Sequence, residues 1–290
     1  MDILKSALRR AIWASAVGQH DGLSKFGLTI EKAGNFAQFV TRELRQQALM
    51  SRRSDGTTIT SNINGLAFDV GANNGDDTAY YLKRGMRVVA VEASPTLAQE
   101  MHRRFPDEVQ SGRLTILNVA IVPDDKQEID FFVNDDDDKI STVKPNGTTE
   151  GFRPIRIAAR RLSDIVREFG IPLYVKLDIE GVDEAALSDL FEAGYKPAYI
   201  SAEAHSIGTF IQMLRAGYSK FKVVEGRFAH RPRHALTIMN NAGELTYYEF
   251  PKGASGPFGD DIPGPWVSPS DMLQYLARHG TGWKDIHASL

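Results

Sequence analysis

The sequence predicts a doubly wound α/β fold whose ligand crevice lies beyond the carboxyl ends of parallel strands, and three stretches carry the prediction. The first is Leu66-Ala67-Phe68-Asp69-Val70, an apolar run followed by Gly71-Ala72-Asn73-Asn74-Gly75 and then by Asp76 and Asp77. It reads as a buried strand, a turn in which glycine lets the backbone pass tightly beneath a ligand, and a helix over 76–84. The second is Val88-Val89-Ala90-Val91, a neighbouring parallel strand that ends in Glu92, 23 residues after Asp69. Nucleotide-binding α/β proteins place a carboxylate there to accept hydrogen bonds from ribose hydroxyls. The third is Leu173-Tyr174-Val175-Lys176-Leu177-Asp178, a buried strand that ends in charge and leads into Glu180 and Gly181. Asp178 and Glu180 therefore face the same crevice.

Taken in order, residues 1–64 read as a helical cap and linker. Ile3 or Leu4, Leu8 and Ile12 recur at helical spacing in a first helix over 3–17, glycines 18, 22 and 27 break it, and a second helix spans 31–50. Lys5, Arg9 and Arg10 precede an apolar stretch too short for a signal peptide, so the first helix is assigned to packing on the main domain or on a partner. Self-association through these N-terminal helices stays open. The main domain covers 65–250: Pro95 opens a helix running to Arg104, and 114–118 form a third strand. Period-two alternation in Glu128-Ile129-Asp130-Phe131-Phe132-Val133 and in 153–157 marks a β insertion near 124–157. Its Asp135-Asp136-Asp137-Asp138 run reads as a solvated loop, since a calcium loop spaces its ligands and includes a glycine. A helix over 159–170, the strand over 173–178, a helix over 182–192, a strand over 198–203 and a helix over 206–216 continue the alternation. Strands follow at 221–224 and 235–239, with 245–250 as a further strand or hairpin partner. The final unit, 251–290, is a Gly/Pro-rich loop over 253–266 carrying Phe258 and Trp266, read as a packed loop or a lid over the site, and a last helix over 270–278.

The turn after Asp69 bears on the cofactor. A dinucleotide site wants G-x-G-x-x-G so that pyrophosphate can rest on bare backbone at a helix N-terminus, whereas Asn73 stands at the middle position and Asp76 and Asp77 open the helix. Two carboxylates there repel a diphosphate. S-adenosylmethionine has no phosphate, and its ammonium suits a carboxylate at or near Asp69. Composition narrows the remaining classes. Lys and Arg total 34 against 37 Asp and Glu, a net charge of -3, so the chain offers no global basic field for nucleic acid. No cysteine is present, which excludes disulfides, thiolate zinc sites and a cysteine nucleophile. No apolar run approaches a transmembrane span, and the expected location is cytoplasmic.

Four motifs together resemble the FkbM-type S-adenosylmethionine-dependent methyltransferases over 66–224. Asp69-Val70-Gly71-Ala72-Asn73-Asn74-Gly75 resembles the family's first motif, in which Asn at the middle position is usual. Val89-Ala90-Val91-Glu92-Ala93-Ser94-Pro95 resembles its acidic second motif. Lys176-Leu177-Asp178-Ile179-Glu180-Gly181 resembles the lysine-aspartate-x-glutamate-glycine signature, and Ile200-Ser201-Ala202-Glu203 the late strand ending in glutamate. The resemblance implies a Rossmann-like seven-stranded class I methyltransferase sheet. It also implies methyl transfer to an oxygen of a sugar or glycan, polyketide or similar metabolite, with S-adenosylmethionine held by Asp69, Gly71, Asn73, Gly75, Glu92, Ala93, Asn118 and Val119.

Transfer to a hydroxyl requires in-line approach to the methyl group and removal of a proton, so a carboxylate or imidazole is expected beside the acceptor. Asp178, Glu180, Glu203 and His205 are the candidates. Glu203 and His205, two apart at a strand end, share a side if the strand continues. Lys176 either tunes Asp178 or seals it in an ion pair. His230, Arg231, Arg233 and His234 form a basic patch, either a solvated turn or a clamp for an anionic acceptor. A protein base is favoured over a divalent metal, although these side chains are also capable metal ligands. N-methylation is the alternative within enzymes. The alternative from another class is a non-catalytic S-adenosylmethionine-binding or scaffold protein.

Overall fold

The computed structural model describes residues 58–134, 152–179, 181–231 and 235–290. The two N-terminal helices, the Asp135 to Asp138 run, Glu180, Arg233 and His234 lie outside the described residues.

The architecture follows from a single sheet buried on both faces. Its strands are β2 (Leu66–Val70), β3 (Arg87–Val91), β4 (Leu114–Leu117), β8 (Tyr174–Leu177), β9 (Tyr199–Ala204), β10 (Lys220–Val224) and β13 (Gly282–Ser289), ordered β10-β13-β9-β8-β2-β3-β4. Strands β4, β3, β2, β8 and β9 are parallel, and β13 runs antiparallel to both neighbours. This is the seven-stranded Rossmann-like sheet expected from the sequence. Strands covered on both sides read as continuous apolar runs, and β8 is buried at every position. The period of two then divides their side chains between two cores. Phe68, Val70, Val175 and Leu177 pack toward α4 (Leu162–Phe169), α5 (Asp183–Glu192), α6 (Ile207–Ala216) and α7 (Pro269–His279). Ala67, Val88, Ala90 and Tyr174 pack with residues of α1 (Asp76–Lys83), α2 (Pro95–Arg104), α3 (Pro106–Gln110) and the C-terminal loop.

The strand order reverses between β2 and β8, which makes their carboxyl ends the place for a ligand. Val70 pairs with Leu177, and the Asp178 amide donates to the Val70 carbonyl at 3.0 Å, so the first and third motifs leave the sheet side by side.

Two smaller sheets flank this unit. The insertion is a β ribbon of β6 (Glu128–Asn134) and β7 (Phe152–Arg160), antiparallel with Glu128 opposite Ala158, and β5 (Ala120–Ile121) pairs with β7. Strand β7 extends further than the sequence suggested: the helix placed over 159–170 begins at Leu162. Burial of Ile157 and Ala159 shows that alternation, not the helix propensity of Ala158-Ala159, governs there. The third sheet joins β11 (Leu236–Met239) and β12 (Leu245–Tyr248) to β1 (Thr58–Ser61), a strand within the stretch whose polar sequence reads as a linker.

Two corrections concern the C-terminal segment. Strand β13 was not anticipated, because Lys284, Asp285, His287 and Ser289 are polar yet buried and erase any apolar signature from a central strand. The Gly/Pro-rich loop is a strap along α1 and not a lid. The Ser255 amide donates to both Asp77 oxygens at 2.9 and 3.1 Å, and Asp261 accepts from Arg84 Nε at 2.7 Å and from Thr60 Oγ1 at 2.6 Å. Phe258 is 2% exposed and stacks on Tyr174 with centroids 4.2 Å apart. Only Lys252 and Gly253, at its start, reach the crevice.

A strap anchored in the core makes a specific prediction. Phe258→Ala should lower the free energy of unfolding by about 3–5 kcal/mol, the range for truncating a buried phenylalanine, in equilibrium urea denaturation. An unchanged midpoint would mean that the ring is not part of the core and would reinstate the lid.

Candidate active site

A cavity of about 610 Å³ opens at the strand ends, within the range of small-molecule sites. Gly71, Asn73, Glu92, Ala93, Val119, Asp178, Glu203 and His205 line it, and Lys252 and Trp283 also border it.

The turn after β2 is built from conformations that few residues adopt. Gly71 has φ +79°, and a Cβ there would lie 1.8 Å from the Asp178 carbonyl oxygen, so only glycine lets the two strand ends approach. Asn73, at φ 50°, is the one non-glycine residue with positive φ among the described residues, and asparagine tolerates that region better than most side chains. Its amide donates to Glu92 Oε2 at 2.7 Å, while its own Oδ1 accepts from the Asn74 amide at 2.8 Å. The middle position of the motif is thus an asparagine for a local reason. Gly75 has a packing role: a Cβ would meet the Phe105 ring at 2.6 Å, and the residue does not line the cavity.

Glu92 is held by two backbone donors, Asn73 and Ser94, each at 2.7 Å. Burial nevertheless dominates and raises its pKa to about 7. Asn118, expected to touch cofactor, instead braces this corner: its Nδ2 donates to the Glu92 and Ala93 carbonyls at 2.8 and 3.0 Å. Asp69, which the resemblance also assigns to the cofactor, is set back from the cavity. It is fully buried, accepts from Thr78 Oγ1 at 2.6 Å, and does not line the cavity. Period-two alternation turns it with Ala67 toward α1. Burial, opposed by Lys176, puts its pKa at about 6.

Lys176, itself part of the cavity lining, gathers the acids. Its Nζ lies 3.4 Å from Asp77 and from Asp178 and 3.7 Å from Asp69, and donates to the Gly71 carbonyl at 3.3 Å. Burial works against this charge, yet Asp178, Asp77 and Asp69 hold its pKa well above the usual value. Asp285 of β13 is buried close by, its carboxyl pushed up by desolvation and by the Asp178 charge. Of the two roles considered for Lys176, the buried ion pair is the one seen.

Glu203 and His205 do face the same way. Glu203 Oε2 lies 3.1 Å from His205 Nε2. Asp183 shapes the turn after β8, accepting from the Ile179 and Gly181 amides at 3.2 and 3.3 Å. In the basic patch, the Arg231 guanidinium lies 3.9 Å from the Phe228 ring centroid, and neither His230 nor Arg231 lines the cavity. Asp77, Lys252 and Trp283 line it without having been proposed for the site. Asp77 was legible as the acid opening α1, whereas Lys252 and Trp283 come from segments with no motif.

A family model described as a methyltransferase FkbM domain matches residues 69–281. No curated protein matches the sequence. Among solved structures, similarity extends to precorrin-6Y C5,15-methyltransferase from Geobacter metallireducens GS-15, with TM-score 0.34 and 10% identity over 84% of this chain and 85% of that one. The C-terminal domain of precorrin-6Y C5,15-methyltransferase from Rhodobacter capsulatus gives TM-score 0.36 and 12% identity over 79% and 82% of the two chains. A TehB-like SAM-dependent methyltransferase from Corynebacterium glutamicum gives TM-score 0.30 and 15% identity over 68% and 89%.

The environment of Glu92 sets a pH dependence. The folded protein holds this proton up to a pKa of about 7, whereas the unfolded chain releases it near 4.5. Between those values the native state binds more protons, so raising the pH favours unfolding. Glu92→Gln loses a backbone acceptor at every pH, a constant offset. The stability of the wild type relative to this variant should therefore fall by about 3 kcal/mol from pH 4 to pH 8 in cofactor-free urea titrations. A pH-independent difference would show that Glu92 titrates normally.

Proposed function

The chain belongs to the FkbM family of S-adenosylmethionine-dependent methyltransferases, and from that premise we propose that it methylates a hydroxyl of a sugar, polyketide or similar metabolite, with His205 as the general base and no metal requirement. The observation that carries this reading is the Glu203–His205 pair, 3.1 Å apart, on the same cavity as Glu92 and the Gly71 turn.

The residues present suit the cofactor. Glu92 offers a fixed carboxylate to the ribose hydroxyls, Ala93 and Val119 give the adenine apolar surface, and the acids at Asp77 and Asp178 suit an ammonium and a sulfonium. The same acids, with Asp76, leave no cradle for a pyrophosphate. Bound there, S-adenosylmethionine supplies an electrophilic methyl group. The protein's part is to orient the acceptor and remove its proton. Glu203 accepts from Nε2–H, which fixes the tautomer and leaves Nδ1 as the atom that takes the hydroxyl proton. Glu203 then stabilises the imidazolium that forms, as a carboxylate does for histidine in catalytic triads. Asp178 is the weaker candidate for base because its carboxylate is shared with Lys176.

Incubation with labelled cofactor and fractionated metabolites tests the activity. On the acceptor so identified, His205→Ala should lower turnover by about two to four orders of magnitude while leaving cofactor affinity unchanged. Turnover should survive exhaustive chelation, and calorimetry should detect S-adenosylhomocysteine binding and none of NAD. Activity abolished by EDTA and restored by magnesium would assign the carboxylates to a metal, and tight NAD binding would overturn the cofactor.

A further inference from the structure

Strand β13 is irregular where it borders the cavity. Gly282 pairs with Ala204 and Asp285 with Glu203, and the register shifts between them, so Trp283 and Lys284 occupy a bulge. Bulges beside active sites re-aim side chains, and here the two residues part company. Lys284 is buried, its Nζ donating to the His279 and Gly280 carbonyls at 3.3 Å and so fastening the end of α7. Trp283 is 56% exposed.

That exposure has no structural benefit. Ile171, Leu245, Tyr247, Trp283 and Leu290 are the large hydrophobic side chains left open to solvent among the described residues, and of these Trp283 alone lines the cavity. Its indole lies close against Gly226, where a Cβ would sit 2.5 Å from Nε1. Gly226 does not have a positive φ, so glycine stands there for the room it gives the indole and not for backbone freedom.

We propose that Trp283 is the platform on which the acceptor lies, and that the acceptor is a sugar ring. The proposal rests on the methyltransferase reading of the cavity. A tryptophan face attracts the polarised C–H bonds on the apolar side of a pyranose, and its large rigid area is ordered at little entropic expense. The groups that share the cavity select the sugar over a flat aromatic acceptor. Asp178, Glu203, His205 and Lys252 are all hydrogen-bonding residues, and a polyhydroxylated ring offers them partners around its edge. An aromatic ring with one hydroxyl would cover the same indole yet leave most of those groups desolvated and unpaired.

The test titrates the full chain with methyl glycosides of hexoses and 6-deoxyhexoses, with catechol as the planar comparison, each with and without S-adenosylhomocysteine. A glycoside should bind the wild type. Its affinity should fall about tenfold in Trp283→Ala, the size of effect an aromatic stacking contact produces, and comparably in Gly226→Ala, which displaces the indole. Trp283→Phe should keep most of the affinity, and the affinity for S-adenosylhomocysteine should not change in any variant. Glycoside binding that is unaffected by Trp283→Ala overturns the platform. Binding of catechol with none of the glycosides overturns the sugar. Failure of the wild type to bind S-adenosylhomocysteine would sink the underlying methyltransferase reading, and the cofactor-free titrations would still decide the role of Trp283.

Discussion

The buried Lys176 ammonium is the point on which the site converges. It reaches the end of β2 through the Gly71 carbonyl and Asp69, the head of α1 through Asp77, and the end of its own strand through Asp178. A lone buried cation is expensive, and so is a lone buried carboxylate; together they are tolerable only in this geometry. Removing one partner from such an arrangement costs about 3–5 kcal/mol because the other is left uncompensated. The arrangement fixes the relative position of the two strand ends at which the sheet order reverses, where the cavity opens.

The same cluster links the site to the back of the molecule. Asp77 faces Lys176 on one side and receives the Ser255 amide on the other. The strap is thereby tied to the floor of the cavity, and its second tether, the buried Arg84–Asp261 pair, holds α1 from behind. This explains why a segment so rich in glycine and proline is ordered: its polar backbone and aromatic rings are matched to partners on α1 and β8. Gly256 and Gly259 both adopt positive φ, and a Cβ on them would meet Ala229 at 3.1 Å and the Tyr199 ring at 3.4 Å.

Much of this was legible in the sequence. The strand-turn-helix at Asp69, the acid at Glu92, the strand ending at Asp178 and the β ribbon of the insertion all rest on periodicity and glycine placement over short stretches. The pairing of Glu203 with His205 follows from their spacing at a strand end. Other residues of the motifs stand back from the cavity for definable reasons. Asp69, Asn118 and Gly75 belong to the right motifs, but a motif does not say which side of a strand or turn meets the ligand. Their hydrogen bonds and packing turn them to Thr78, to the Glu92 and Ala93 carbonyls, and to Phe105.

The sequence by itself determined the parallel core, its direction of winding and the position of the crevice, because each depends on local patterns of apolar residues and on turns that only a few residue types can make. Tertiary structure alone decided that β13 enters the sheet between β9 and β10, that the Gly/Pro segment is a strap, and that Trp283 stands beside Glu203 and His205. Those outcomes depend on contacts between segments far apart in the chain. A strand that buries Lys284, Asp285 and His287 along with Ile286 and Ala288 finds its place through partners that no window of its own sequence contains.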